Sequence, residues 1–325
     1  MPPIRIAIDA SGGDYAPSEI VAGAIAGARQ HSIELVLVGR SEQIDEQLRQ
    51  HDTQDLAIEI VDAPETIEMQ EDPALAVRKK TNASIVVGCE LVRDQRADAI
   101  ISMGHTGAGM IAGLFTFGRL PGIDRPAAIV PYLGFKDTFL IDAGANTEVQ
   151  PANLLQFAIM GSLYVERVMG IPNPKIGLLS NGGEPNKGNA IGKQAYLLLA
   201  ASKLNFVGNV EGHGAVNHEA NLLVADGFVG NIALKLGEGI VDEVLNQVEH
   251  EAAPIDDKLR GVLAKLREQH DYARIGAAPI LGINGLLFIG HGRSKAPAVV
   301  SAIGLAVKSV ESKLLEAIVE GLKGS

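Results

Sequence analysis

Tryptophan is absent from the chain and cysteine occurs once, at Cys89. A single thiol excludes an internal disulfide framework and any multi-cysteine zinc site, and it suits a reducing compartment. Basic residues are also scarce. Lys and Arg number 28 against 39 Asp and Glu, for a formal net charge of -11, so the chain cannot coat nucleic acid through a general positive field. Anion binding, if present, must be local. Long apolar runs are missing too: none approaches the roughly eighteen residues that span a bilayer, and the opening MPPIRIAIDA lacks the h-region of a signal peptide. The chain therefore reads as cytoplasmic, with peripheral membrane contact left open. No Gly-x-Ser-x-Gly elbow offers a serine nucleophile.

What is present is enough apolar residue, 46% of 325 positions, to bury a sizeable core. The chain alternates strand-like and helix-like segments. Strands are expected at Ile4 to Ile8, Glu34 to Val38, Leu56 to Val61 and Ala97 to Ser102, with helices at Ser18 to Arg29, Ser41 to Gln50 (capped by Ser41) and Pro73 to Arg93. Ala127 to Val130 and Thr138 to Ile141 lie too close for a crossover helix, which predicts an antiparallel pair inside a mixed sheet. Further strands are expected at Ile176 to Leu179, Phe206 to Val210, Leu222 to Ala225 and Leu286 to Ile289. Helices are expected at Pro151 to Met169, Lys187 to Lys203, from Val229, and from Pro297 to about Leu322. GAAPILGING reads as a Gly-rich loop. The fold class is α/β, a mainly parallel sheet covered by helices on both faces.

Beyond Gly239 the pattern changes to two consecutive amphipathic helices, Ile240 to His250 and Asp256 to Tyr272, expected as a protruding hairpin at about 238–275. Leu259, Val262, Leu263 and Leu266 line one face of the second. Packing on the same domain or a second subunit and contact with a membrane surface or an acidic partner are both open readings. With no repeat or linker, one domain over 1–325 is the economical description.

The candidate site residues lie in loops that follow strands, where parallel sheets place ligands. Gly12 and Gly13 follow the first strand and would let backbone N–H groups approach a ligand; an ordinary turn accounts for them equally well. Gly104, His105, Thr106 and Gly107 follow the fourth. Their glycine order is not that of a dinucleotide fingerprint, so no nicotinamide cofactor is expected. His105 is either a substrate-orienting group or a hydrogen-bonded surface histidine. Asn146 ends the Asp142-Ala143-Gly144-Ala145-Asn146 run. The loop Asn181 to Asn189 holds Lys187, Gly188 and Asn189 but fails the G-x-x-x-x-G-K-[ST] spacing of a triphosphate site. Lys187 is a candidate for a phosphate oxygen, against the alternative of a solvated lysine. Asn209 and Glu211, then Asp226, Gly230 and Asn231 at a helix start, complete the set. The spacings of His213 and His218 match no standard zinc pattern, so no metal is expected. Cys89 falls in the apolar row of a helix and reads as packing.

Taken together, IAIDASGGDYAP, SMGHTGAG, GRLPGIDRPA, LIDAGAN, LQFAIMGSLYVE, NPKIGLLSNGGEPNKGN, NFVGNVEG, ADGFVGNIALK and APILGINGLLFIGHGRS resemble, in one order over nearly the whole chain, the bacterial phosphate acyltransferases of phospholipid synthesis. The resemblance implies transfer of a long-chain acyl group from acyl carrier protein to inorganic phosphate, giving an acyl phosphate for a membrane-bound glycerol-3-phosphate acyltransferase. It also implies a homodimer and a three-layer α/β/α, Rossmann-like fold similar to phosphotransacetylases and isocitrate dehydrogenase-like enzymes. Peripheral association with the inner face of the cell membrane through the helical projection is implied as well. Phosphate is already a nucleophile at neutral pH, so no serine or cysteine intermediate is needed. On this reading Lys187, Asn231 and the Gly12-Gly13 backbone hold phosphate, a group near Asn231 stabilises the thioester oxyanion, and Asp226 orients the helix start or a lysine. His105 stands where the family usually has Asn, His213-Gly214 where it has Arg-Asp, and LLSNGGEPNKGN is looser than the usual Asn-Ile-Gly-Glu-Glu form. A short-chain phosphotransacetylase acting on acetyl-CoA and a non-catalytic acyl-carrier or membrane-binding relative are the alternatives.

Overall fold

The computed structural model describes residues 3–251, 256–270 and 276–323. These residues form two compact units, 3–126 with 276–320, and 127–270 with 321–323.

In the first unit, β1 (Arg5–Asp9) lies between β2 (Glu34–Gly39) and β4 (Ala99–Ser102), with β3 (Ile58–Asp62) outside β2. These pairings are parallel, as is that of β11 (Leu287–Gly290) with β4, and β10 (Ala277–Leu281) runs antiparallel to β11. Consecutive rather than alternate residues of β1, β2 and β4 are buried, so both faces of this sheet are covered. The covering helices pack in two groups. One holds α1 (Ser18–His31), α2 (Ser41–Leu48) and α11 (Ala296–Glu311); the other holds α3 (Pro73–Lys79), α4 (Ser84–Arg93) and α5 (Thr106–Phe117). Gly23 and Gly27 let α1 close on α11, because a Cβ at either would lie 2.6 and 2.5 Å from Val299 and Ile303.

In the second unit the order is β5 (Ala127–Pro131), β6 (Phe139–Ile141), β9 (Leu222–Val224), β7 (Ile176–Leu179), β8 (Phe206–Val210). The β5 and β6 pair is antiparallel, as the short connection predicts; the rest are parallel. Its helices are α6 (Pro151–Arg167), α7 (Ala190–Ala201), the single turn α8 (Gly212–Val216), α9 (Gly227–Glu251) and α10 (Asp257–His270).

Several elements differ from the sequence expectation for identifiable reasons. The span Pro73 to Arg93 is two helices, because Ala83 bridges to Glu65 and the Asn82 N–H reaches the Glu65 carboxylate at 3.2 Å. Ser41 does not cap α2; its hydroxyl donates to Asp62 at 2.9 Å. AAPIL, read as part of a Gly-rich loop, is the strand β10. The closing helix is interrupted at Lys313, whose φ is +51°, and resumes as α12 (Leu314–Lys323). The expected break between the helix starting near Val229 and Ile240 to His250 is absent. One helix runs through Gly237, where a Cβ would lie 2.4 Å from Leu133; the glycine serves close packing rather than termination.

The two long helices do form a hairpin. Arg267 on α10 reaches Glu249 at 2.7 Å and Asn246 at 3.0 Å on α9, and the His270 ring donates to the Leu133 carbonyl at 2.6 Å. Of the four residues expected on one face of α10, Leu263 is buried while Val262 is exposed. The Asp256 to Tyr272 reading ends outside the described residues, as does the end of the 238–275 projection.

Candidate active site

Each unit carries its candidate loops at the carboxyl ends of its own strands. In the first, β1 ends on Asp9, which is only 3% exposed. Its carboxylate accepts from the Ser102 hydroxyl at 2.6 Å and from the Ser11 N–H at 3.2 Å. Burial pushes the Asp9 carboxyl above its ordinary range, opposed by hydrogen bonds from Ser102, Ser84, Ser11 and Gly12. Gly12 is glycine for steric reasons, since a Cβ there would sit 2.5 Å from the Asp9 carboxylate and 3.0 Å from the Gly104 nitrogen. Gly13 has φ +110°. Gly104 donates to Ser102 at 3.1 Å. His105 caps α5: its Nδ1 accepts from Gly107 at 3.1 Å and Ala108 at 3.4 Å, which makes the neutral ring a structural acceptor and leaves Nε2 to carry the proton. Thr106 is the exposed first residue of that helix.

In the second unit four of the residues expected from the sequence, Asn181, Gly188, Asn189 and Asp226, line one cavity. β6 leads into Asp142, fully buried, whose carboxylate accepts from Ala145 at 2.7 Å, from Asn146 N–H at 2.9 Å and from the Asn146 amide at 2.8 Å. Burial again raises the carboxyl and these donors oppose it. The Asn146 carbonyl in turn accepts from Gly227 at 2.7 Å, tying this loop to the start of α9. Asp226 caps α9 by accepting from Val229 at 2.9 Å. Gly230 lies so near that a Cβ would be 2.2 Å from the Asp142 carbonyl, and a Cβ at Gly144 would sit 3.5 Å from Asn231.

The 181–189 loop follows β7. Asn181 accepts from Gly188 at 2.9 Å, Asn189 caps α7 by accepting from Gly192 at 2.7 Å, and Asn209 on β8 donates to the Glu184 carbonyl at 2.7 Å. The Lys187 side chain lies over Gly182, where a Cβ would be 2.7 Å from its Cγ, and is exposed. The expected helix from Lys187 begins at Ala190 instead, leaving the lysine in the loop. Asn181, Gly188, Asn189 and Asp226 line one cavity of about 430 Å³, whose walls are Leu154, Leu178, Leu179, Ile191, Ala225 and Val229. An apolar cavity with a polar mouth suits a ligand with a hydrocarbon part and an anionic or carbonyl head. Glu211 stands apart from that lining, at the start of α8. Ser180, which also lines the cavity, and Asp142, which holds the loop against the start of α9, were not singled out from the sequence. His218 contacts Thr138 at 2.9 Å and Asp137 at 3.1 Å, and no cluster of three or more potential metal ligands occurs among the described residues. Cys89 is fully buried in α4, and burial pushes its thiol far up.

The family described as "Fatty acid synthesis protein" matches residues 4–317. The phosphate acyltransferase of Pelotomaculum thermopropionicum is 47% identical, covering 97% of this chain and 94% of its own. That of Heliobacterium modesticaldum is 46% identical, covering 99% and 98%. The chain belongs to the phosphate acyltransferase family. It is an enzyme of the acyltransferase class. The fold is shared more widely. A phosphotransacetylase from Streptococcus pyogenes superposes with a TM-score of 0.65 at 17% identity over 95% of this chain and 94% of that one, and the EutD phosphotransacetylase of Staphylococcus aureus with 0.61 at 15%, over the same shares. No helix among the described residues is long and apolar enough to cross a membrane.

Proposed function

We propose that the chain transfers a long-chain acyl group from acyl carrier protein to inorganic phosphate. The observation that carries this reading is the meeting of an apolar cavity with the Asn181 to Asn189 loop and Asp226 in a member of the phosphate acyltransferase family. A phosphate oxygen attacks the thioester carbonyl carbon; the C–O bond forms, the C–S bond breaks, and the carrier's thiolate leaves with the electron pair and takes up a proton. Phosphate brings its own nucleophile, so the protein supplies position and charge. Lys187, exposed and beside the cavity-lining Gly188, provides the cation for a phosphate oxygen. Asn231, in the first turns of α9, orients or stabilises the carbonyl oxygen. Asp226 holds the start of that helix.

Three partners beyond substrate belong to the same reading. Phe228, Ile232, Leu236, Ile240, Val244 and Val248 recur every four residues along α9, each between 41% and 61% exposed. That stripe supports the membrane surface and the homodimer as its uses, with the acyl phosphate passed to a membrane-bound glycerol-3-phosphate acyltransferase. Replacing Val244 and Val248 with aspartate should abolish binding to vesicles; unchanged binding would remove the membrane from the account.

The test of the reaction is incubation with palmitoyl-acyl carrier protein, with and without inorganic phosphate, trapping acyl phosphate as a hydroxamate. Phosphate-dependent hydroxamate from the carrier protein, and none from acetyl-CoA, is the expected result. Product from acetyl-CoA alone would make the chain a short-chain phosphotransacetylase, and no product from any donor would leave a non-catalytic relative.

A further inference from the structure

Three buried side-chain oxygens have no hydrogen-bond partner among the described residues: Ser180 Oγ, Asn209 Oδ1 and Ser294 Oγ. Two of the three, Ser180 and Asn209, sit at the ends of the adjacent strands β7 and β8, at the base of the 181–189 loop. Asn209 has a visible duty, since its amide nitrogen holds the Glu184 carbonyl. Ser180 has none. Its backbone is fixed, N–H to the Val210 carbonyl at 2.9 Å, and it lines the cavity together with Asn181, Gly188, Asn189 and Asp226. A Cβ at Gly188 would lie 3.3 Å from its hydroxyl oxygen, so that hydroxyl faces the residue next to Lys187. A buried hydroxyl left unpaired is unfavourable, and in native structures such a group marks strain, an ordered water or ion, or a catalytic or ligand-binding role; its place in the lining of this cavity points to the last.

We propose that Ser180 is a phosphate-binding residue of the acyl transfer, its hydroxyl donating a hydrogen bond to a phosphate oxygen that Lys187 also holds. The role rests on the reaction proposed above. A hydroxyl suits this position because it can donate to an oxyanion without adding a charge beside Asp226, whose carboxylate lines the same cavity. The Asp226 carboxylate can in turn accept from the P–OH of monohydrogen phosphate. Bound phosphate supplies the acceptor that the protein does not provide to Ser180 Oγ.

The physical signature of this role is a pair of effects with opposite sign. Removing a hydroxyl that has no partner within the protein leaves the fold as stable or more stable, while removing one that binds substrate weakens substrate binding. Ser180→Ala should therefore keep or raise Tm, raise the phosphate KM about tenfold, and leave the carrier-protein KM within about twofold. The upward shift in Tm that inorganic phosphate gives the wild type should shrink in the variant. Ser294→Ala, which removes the matching orphan hydroxyl of the first unit, should leave the phosphate KM unchanged.

A phosphate KM in Ser180→Ala within about twofold of wild type, with the thermal shift intact, overturns the proposal. A fall in kcat at saturating phosphate with the phosphate KM unchanged also overturns it, by moving the hydroxyl to the thioester carbonyl. Should the wild type make no acyl phosphate from any donor, the reaction itself is refuted and the phosphate thermal shift decides alone. Loss of the shift in the variant then supports the binding role, and equal shifts, or no shift in the wild type, reject it.

Discussion

Two strands of this protein end in the same way and are held differently. β1 ends on Asp9-Ala10-Ser11-Gly12 and β6 leads into Asp142-Ala143-Gly144-Ala145-Asn146, each with a buried aspartate that turns back on its own loop. Asp142 is gripped by nitrogen donors, two backbone N–H groups and one side-chain amide within 2.9 Å. Asp9 is held chiefly by hydroxyls, with Ser102 at 2.6 Å and Ser84 beside it, and by the weaker backbone N–H groups of Ser11, at 3.2 Å, and Gly12. A hydroxyl can reverse its role and donate or accept, whereas an N–H can only donate. The second unit's loop therefore depends on a carboxylate, and the first unit's loop tolerates an amide. The difference also separates roles: the Asp142 loop anchors the start of α9 through the Asn146 carbonyl, and α9 carries Asn231.

The sharpest break of this comparison is Asp142→Asn. It would turn an acceptor into a donor facing N–H groups and should cost about 2–4 kcal/mol, read as a loss of denaturation midpoint; a loss below about 1 kcal/mol would show that the loop is not held by the charge. Next is His105→Ala, which removes the cap of α5 in the first unit and should cost about 1 kcal/mol. His105→Asn should recover most of it, because asparagine is itself a good cap, and a further loss would mean that the histidine acts on something other than the helix. The smallest effect is expected for Asp9→Asn, within about 1 kcal/mol at neutral pH.

Asp9 also sets a pH dependence. Its folded carboxyl titrates above the unfolded one, so between the two values the native chain binds more protons. The stability it contributes is present in acid and is lost as pH rises through the raised value. Asp9→Asn should lessen that decline, leaving the part due to the likewise raised Asp142, measured as Tm against pH from the ordinary carboxylate range upward. An unchanged profile would contradict the assignment of the proton to Asp9.

The parallel core was legible because its strands are apolar runs spaced by amphipathic helices, and the Thr138 to Ile141 pairing followed from a connection too short for a crossover. What escaped was decided by contacts distant in sequence. Nothing near Ala83 announces that it bridges to Glu65, and nothing near Gly237 announces that Leu133 lies against it. AAPIL hid its strand behind flanking glycines and Pro279, which sits on the antiparallel partner of β11. At the site, Lys187, Asn181, Gly188, Asn189 and Asp226 were visible as polar residues and glycine in loops after strand ends. Ser180 was not, because it looks like the last residue of an apolar strand and only its missing partner sets it apart.

Phosphate binding by the Lys187 loop of the second unit, as proposed above, is what the acyl transfer turns on. Its most direct test is the initial rate of acyl phosphate formation from palmitoyl-acyl carrier protein, with phosphate varied, for the wild type and Lys187→Ala. In Lys187→Ala, kcat/KM for phosphate should fall at least about a hundredfold with Tm unchanged, since the side chain is exposed. Near wild-type kinetics in a folded variant would contradict it and place the phosphate elsewhere.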